Sequence, residues 1–330
     1  MTTNPSAGYT GARAVASDDE PFLLTLEATA PVSPAEWIAE HHGQLTEDLL
    51  RHGAVLCRGF DVPDAGAFGE AARAFSPDLL DYTERAAPRT EVADRVFTST
   101  EMSRDRPIDL HHEMSYAHNW PGRLYFYCDV PPAEGGATPV ASERRVFPRI
   151  PDDVKERFTR HGVRYVRNYG PDVDLPWQEV FGTTDRAEVD AYCHASGTEA
   201  EWGRGDSLRT ISVRQAVAAH PRTGETVWFN HAHLFHTSIL PPEVVEVLIA
   251  DYGLDGLPRN ALYGDGEPIE DEVIALIRGL YEEARVTFAW QRSDVLIVDN
   301  FLATHGRDPF GGDRRVLVAM SDLHVGTTHQ

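Results

Sequence analysis

Residues 299–320 read DNFLATHGRDPFGGDRRVLVAM, and this stretch decides the architecture expected of the chain. The apolar run Asp294–Leu302 reads as a strand, and Arg314–His324 reads as a second. Between them HGRDPFGGD is dense in glycine and proline, as a turn requires. Two strands so joined are expected to form a hairpin, with His305 at its edge beside the early residues of the return strand. Side chains alternate across a strand, so Arg315, Leu317 and Ala319 share one face and Arg314, Val316 and Val318 the other. One of the two arginines therefore reaches any cavity that His305 faces.

Working outward, helical spacing of Trp37, Ile38, His41, Leu45 and Leu49 predicts a helix over 35–52. Further helices are expected over 64–75, 151–160, 186–196, Pro241–Tyr252 and Asp271–Tyr281. Strands are expected at Ala54–Phe60, Val96–Thr100, Ile108–Tyr116, Arg123–Val130, Val163–Asn168, Arg209–Val217, Thr226–Asn230 and Ala284–Trp290. Alternating βαβ order is not sustained, and no GxGxxG or Walker-type phosphate loop sits where a nucleotide fold needs it. Many short strands with inserted helices predict a mixed α/β chain with a mainly β core, a β-sandwich or jelly roll. Residues 1–20 are small and polar and are expected to be a disordered leader, followed by a single domain over 21–330.

The chain has 330 residues with 30 basic and 52 acidic side chains, a net charge of −22. Such a field repels phosphate backbones and anionic membrane surfaces, so neither nucleic acid nor membrane is an expected partner. The three cysteines, Cys57, Cys128 and Cys193, are too few and too scattered for a disulfide framework, which predicts a reducing, cytoplasmic setting. The N-terminus lacks the apolar core of a secretory signal, and no run approaches the roughly 18 apolar residues of a membrane span.

Chemistry enters with DLHHEMSY, residues 109–116. On a strand His111 and Glu113 point the same way and His112 the opposite way. The pair alone is a weak signal, because H-x-[DE] arises often by chance. Joined to a distant His305, it supplies two imidazoles and one carboxylate, the facial set that holds iron(II) and leaves positions open. If a keto acid fills two of these, its far carboxylate needs a rigid two-pronged cation, which favours arginine over lysine.

The sequence resembles the taurine dioxygenase (TauD/TfdA) family of Fe(II)/2-oxoglutarate-dependent oxygenases over about residues 50–322. Within it, the chain resembles the syringomycin-type aspartyl hydroxylase branch. The matching stretches are VFTSTE (96–101), LHHEMSY (110–116), YFYCDVPPAEGGATPVAS (125–142), WFNHAHLFH (228–236), YGDG (263–266), FAWQRSDVLIVDN (288–300) and HGRDPFGGDRRVLVAM (305–320). The resemblance implies a double-stranded β-helix, cupin-like, and the cofactors Fe(II) and 2-oxoglutarate with O₂ as co-substrate. By position it implies His111, Glu113 and His305 as metal ligands, and Arg315 and Thr138 as the grip on 2-oxoglutarate. It suggests Arg89, Glu101, Tyr116, Asn230 and Asp265 as substrate contacts.

Two departures refine that expectation. Many relatives carry aspartate where Glu113 stands, and halogenating relatives carry a small residue there, so a carboxylate at 113 speaks against halogenation. A sulfonate-gripping arginine of taurine dioxygenase is matched by Ala319, which speaks against taurine. The expected activity is hydroxylation of an unactivated C–H bond of a small molecule, an amino acid either free or tethered to a peptidyl carrier protein, in antibiotic biosynthesis. The rival readings are a non-catalytic binding or carrier-interaction protein on the same fold, and a zinc-dependent cupin-like hydrolase or isomerase. His118, His231, His233 and His236 are expected to be packed or hydrogen-bonded, Trp228 and Trp290 to be core aromatics, and Asp299 and Asn300 to cap a turn or support the site.

Overall fold

The computed structural model describes residues 9–15, 22–84, 86–170 and 174–326. The N-terminal part runs β1 (Ala12–Val15), β2 (Leu24–Ala28), α1 (Pro34–His52), β3 (Ala54–Arg58), α2 (Ala65–Phe75), β4 (Glu91–Ala93), β5 (Val96–Thr98), β6 (Ile108–His111), β7 (Asn119–Val130), β8 (Glu134–Gly135) and β9 (Val140–Ser142). A middle part follows with α3 (Glu143–Val146), α4 (Asp152–His161), β10 (Val163–Tyr169), α5 (Trp177–Phe181), α6 (Arg186–Ala195), β11 (Thr198–Trp202), β12 (Leu208–Arg214), β13 (Val217–Ala219), β14 (Thr226–Trp228), α7 (Ala232–Phe235), α8 (Pro242–Tyr252) and β15 (Arg259–Tyr263). The chain ends with α9 (Asp271–Ala284), β16 (Arg285–Val286), β17 (Val295–Asp299), β18 (Ala303–Arg307), β19 (Phe310–Gly311) and β20 (Arg315–Val325).

Alternation along the long strands explains the layers. In β7, β17 and β20 both faces are apolar, so these strands must be covered on both sides. They lie central in an 8-stranded sheet of order β1-β2-β3-β17-β7-β20-β5-β4. On one face Tyr125, Tyr127, Ile297, Leu317 and Ala319 pack with Trp37, Leu45, Leu49 and Phe68 of α1 and α2. On the other, Phe126, Leu296, Val316 and Val318 join Leu110, Val140 and Ala303 from a 4-stranded sheet of order β16-β9-β18-β6. Two packed sheets of this kind are the jelly roll expected from the sequence, with helices laid on the outside. A separate 4-stranded sheet, β11-β12-β10-β15, carries its own small core around Tyr169, Trp177 and Val189. No helix among the described residues is long and apolar enough to cross a membrane.

Five expectations need correction. The strand expected to run to Tyr116 stops at His111, and Met114 adopts a positive φ of 58° in the turn that follows. The strand expected over Asp294–Leu302 ends at Asp299, whose Oδ1 accepts the backbone N–H groups of Phe301 and Leu302 and so caps a turn. The chain then crosses to the small sheet as β18, so His305 lies within a strand and the hairpin with β20 does not form. Ala284–Trp290 contributes only the two residues Arg285–Val286, with Ala284 the last residue of α9. In the expected leader, residues 9–15 are ordered: Tyr9 donates to Asp48 at 2.6 Å, the Trp37 indole donates to the Thr10 carbonyl at 2.7 Å, and β1 pairs with β2. Residues 1–8 and 16–20 lie outside the described residues.

The approach of β18 to β6 is close at Gly306, where a Cβ would meet the Ile108 carbonyl oxygen at 2.6 Å. Gly306→Ala is expected to lower the unfolding free energy by roughly 1–3 kcal/mol, the usual cost of overpacking. Urea denaturation of the two proteins checks this, and an unchanged midpoint would contradict the tight pairing.

Candidate metal centre

Strand pairing sets the first two ligands. His305 of β18 stands directly opposite His111 of β6, and their rings are 4.4 Å apart. The His111 Nδ1 lies 2.7 Å from the Asp109 carbonyl; since a carbonyl only accepts, this nitrogen carries the proton and Nε2 is left with a lone pair. Glu113 arrives from the turn rather than from a strand face. Asn300 holds it there: its Oδ1 accepts the Glu113 N–H at 2.8 Å, and its amide donates to the carbonyls of Glu113 at 3.0 Å and Pro121 at 2.8 Å. One ligand atom from each of His111, Glu113 and His305 lies within 4.8 Å of the others, and all three residues are buried.

Neighbours fix the carboxylate. Arg89 donates to Glu113 Oε2 at 3.0 Å and stacks over the Tyr82 ring at 4.5 Å, while the Tyr82 hydroxyl donates to Oε1. His112, just past the end of β6, points away from the triad to the Asn300 carbonyl and Glu143. Burial pushes the His111 pKa down to about 3, assisted by the charge of His305. Burial also lowers His305. For Glu113, burial alone would raise the pKa, but Arg89 and the hydrogen bond from His305 outweigh it and hold the carboxyl well below its usual range. At neutral pH the three groups are therefore two neutral imidazoles and a carboxylate, a donor set that fits a divalent iron ion.

Beside the triad lies a recess lined by His111, His305, Phe126, Thr138, Arg314 and Val316 among others. Arg314 Nε donates to the Gly136 carbonyl at 2.9 Å, and its Nη2 lies 3.2 Å from the Thr138 hydroxyl. The Trp290 indole donates to the same hydroxyl at 3.0 Å. No carboxylate among the described residues pairs with Arg314. Burial, then the charge of Arg307, lowers its pKa to about 10, so it remains a cation at neutral pH. Arg315, the arginine expected here, points to the other side: its side chain is 50% exposed and pairs with Asp129 at 2.9 Å. The physical reason is strand parity, since Val316 and Val318 share the inner face with Arg314 while Leu317 and Ala319 face α1 and α2.

A cavity of about 740 Å³ opens on another side of the triad. Arg89 and Tyr116 line it; Glu101 instead borders an adjoining polar recess that Arg89 also lines. Asn230 and Asp265 line neither. Asn230 is fully buried and spends its amide on Ala216 and Ala232, and Asp265 pairs with His161 at 2.9 Å on the surface. His231, His233 and His236 are hydrogen-bonded to Ser115, the Leu110 carbonyl and Ser238, so they form no second metal site. Reading the sequence missed Tyr82, Trp290 as a partner of Thr138, and Arg307, which binds the carbonyls of Thr100, Met102, Ser103 and Arg106. Nothing local marks these residues, since each acts through partners far away in the chain.

The buried imidazoles make the metal-free protein acid-sensitive. His233 is lowered by burial from 6.5 to about 4. Its unfolded form binds more protons below pH 6.5, so stability falls with pH from there down to about 4. By pH 5 this group removes about 2 kcal/mol. Urea unfolding of metal-free protein at pH 7 and pH 5 is expected to show that loss, reduced in His233→Gln; equal pH dependence in both proteins would contradict it.

Comparison with known proteins agrees with this geometry. The family model described as taurine catabolism dioxygenase TauD, TfdA family, matches residues 18–320. The chain is 38% identical over 299 residues to the dapdiamide synthesis protein DdaC of Enterobacter agglomerans, covering 91% of this chain and 90% of that protein. It is 35% identical over 286 residues to a clavaminate synthase-like protein of Arabidopsis thaliana, 83% of each chain. Among solved structures, PvcB of Pseudomonas aeruginosa superposes with a TM-score of 0.55 at 17% identity, over 97% of this chain and 92% of that one, which speaks for the fold. A second structure of PvcB, with a TM-score of 0.52, is described as an Fe, alpha-ketoglutarate dependent oxygenase from an isonitrile synthetic pathway. With a jelly roll around a His111–Glu113–His305 triad, the chain belongs to the TauD/TfdA family of Fe(II)/2-oxoglutarate-dependent oxygenases.

Proposed function

We propose that this oxygenase hydroxylates an unactivated C–H bond of an amino-acid-derived small molecule in secondary metabolism. The observation that carries the reading is the placement of two different spaces against one triad: a cationic recess at Arg314 and Thr138, and a larger cavity lined by Arg89 and Tyr116. His111, Glu113 and His305 would hold the iron. Bound there with 2-oxoglutarate and O₂, iron supplies the oxidising power that couples decarboxylation of the keto acid to oxidation of the substrate.

The chain's own residues do the positioning. Arg314 and Thr138 grip the distal carboxylate of 2-oxoglutarate, and Trp290 fixes the Thr138 hydroxyl. Asn300 and Tyr82 hold Glu113 in place. The apolar walls of the larger cavity keep water away from the reacting carbon. A carboxylate at position 113 keeps a protein ligand on the metal, which supports hydroxylation over halogenation. The similarity to DdaC, a dapdiamide synthesis protein, supports a place in secondary metabolism. The net charge of −22 favours a freely diffusing substrate over one carried by an acidic carrier protein. Three buried, unpaired cysteines fit a cytoplasmic setting.

Arg314→Ala is expected to raise the 2-oxoglutarate concentration for half-maximal succinate formation about 10- to 100-fold, the cost of losing a charge-assisted contact. Arg315→Ala should change it by less than about twofold, as an exposed ion pair implies. The reverse order would overturn the assignment of the keto-acid grip to Arg314.

A further inference from the structure

The charge pattern of the 740 Å³ cavity says more about what enters it. One wall is apolar, with Phe235 from α7, Ile239 and Leu240 after it, and Val244, Val245 and Leu248 on α8. The described residues lining the cavity include two acids, Asp109 and Glu113. Each is already matched to a cation: Arg278 lies 2.8 Å from Asp109, and Arg89 lies 3.0 Å from Glu113, which also belongs to the triad. Of the arginines on the lining, Arg259 is paired with Asp174 at 2.5 Å, outside the cavity. Arg106, exposed on the same lining, has no carboxylate partner among the described residues.

A free amino acid brings both an ammonium and a carboxylate. Its carboxylate would meet Arg106, but its ammonium would find no uncommitted acid and would lose water against aliphatic side chains, which is unfavourable for an unpaired charge. We infer that the cavity takes an amphiphilic acid, with an apolar body against α7 and α8, one anionic group at Arg106 and no free ammonium, as in an amino acid whose amine is acylated. This rests on the proposed reading of the site as an oxygenase of small molecules.

Calorimetry on protein loaded with Mn(II) and 2-oxoglutarate tests it without turnover. The probes are hexanoylglycine, octanoylglycine, hexanoylglycinamide and norleucine. Hexanoylglycine should bind about fivefold tighter than its uncharged amide, the modest gain that an exposed arginine gives. It should bind about tenfold tighter than norleucine, whose ammonium stays unpaired. Two further methylenes in octanoylglycine should add roughly fourfold in affinity each. Arg106→Gln should bring hexanoylglycine down to the level of the amide, and Leu248→Glu, which supplies an acid, should favour norleucine. Norleucine binding as tightly as hexanoylglycine in the wild type, or hexanoylglycine unaffected by Arg106→Gln, would overturn the inference. Failure of Mn(II) and 2-oxoglutarate to load would count against the oxygenase reading itself; loading without hexanoylglycine binding would count against this inference alone.

Discussion

The pairing of β6 with β18 is the constraint on which the site depends. It sets His305 against His111 with no side-chain freedom beyond their rotamers, and it does so in the small sheet, which packs face to face on the long strands. Asn300 then ties the third ligand to the same frame, because it sits at the crossing from β17 to β18 and bonds the Glu113 backbone on both sides. A metal ion needs three donors within a few ångströms, and here two backbone devices, a strand ladder and a side-chain clamp, bring them together. Arg89 and Tyr82 then hold the carboxylate against burial.

The other dependence is on parity. β20 is buried on both faces, so adjacent residues serve different layers: Val316 and Val318 pack toward the triad, while Leu317 and Ala319 pack under α1 and α2. At the start of that strand the same rule sends Arg314 inward, beside Thr138, and Arg315 outward, to Asp129. A chain with net charge −22 thereby keeps a half-buried cation, unpaired with any carboxylate among the described residues, in the recess beside its triad. Such a cation attracts a dianion from water more strongly than a surface arginine does, because little solvent screens it.

Much of this was legible in the sequence, and the rest was hidden for identifiable reasons. Helical spacing located α1 and alternation located β10, and the expected extents of α2, α8, α9, β7 and β20 agree with the structure to within a few residues. Residue types and order marked His111, Glu113 and His305, and the family resemblance added Thr138. The hairpin expected around His305 fails because a short turn at Asp299–Leu302 looks, in sequence, like a continued apolar strand. Alternation left Arg314 and Arg315 as equals, and choosing by position in the family pattern picked the outward one. Asn230 and Asp265 lie in stretches that match the family yet serve a buried turn and a surface ion pair. Tyr9–Val15 is ordered through Tyr9 and Trp37, a contact that composition averages away.

The measurement that tests the account most directly is an anaerobic titration of the metal-free protein with Fe(II) and then 2-oxoglutarate, followed by visible absorption. Chelation of the keto acid on iron held by His111, Glu113 and His305 predicts a weak charge-transfer band in the wild type that is absent in His111→Ala. A folded, iron-loaded wild type that shows no such band at saturating 2-oxoglutarate would contradict the account.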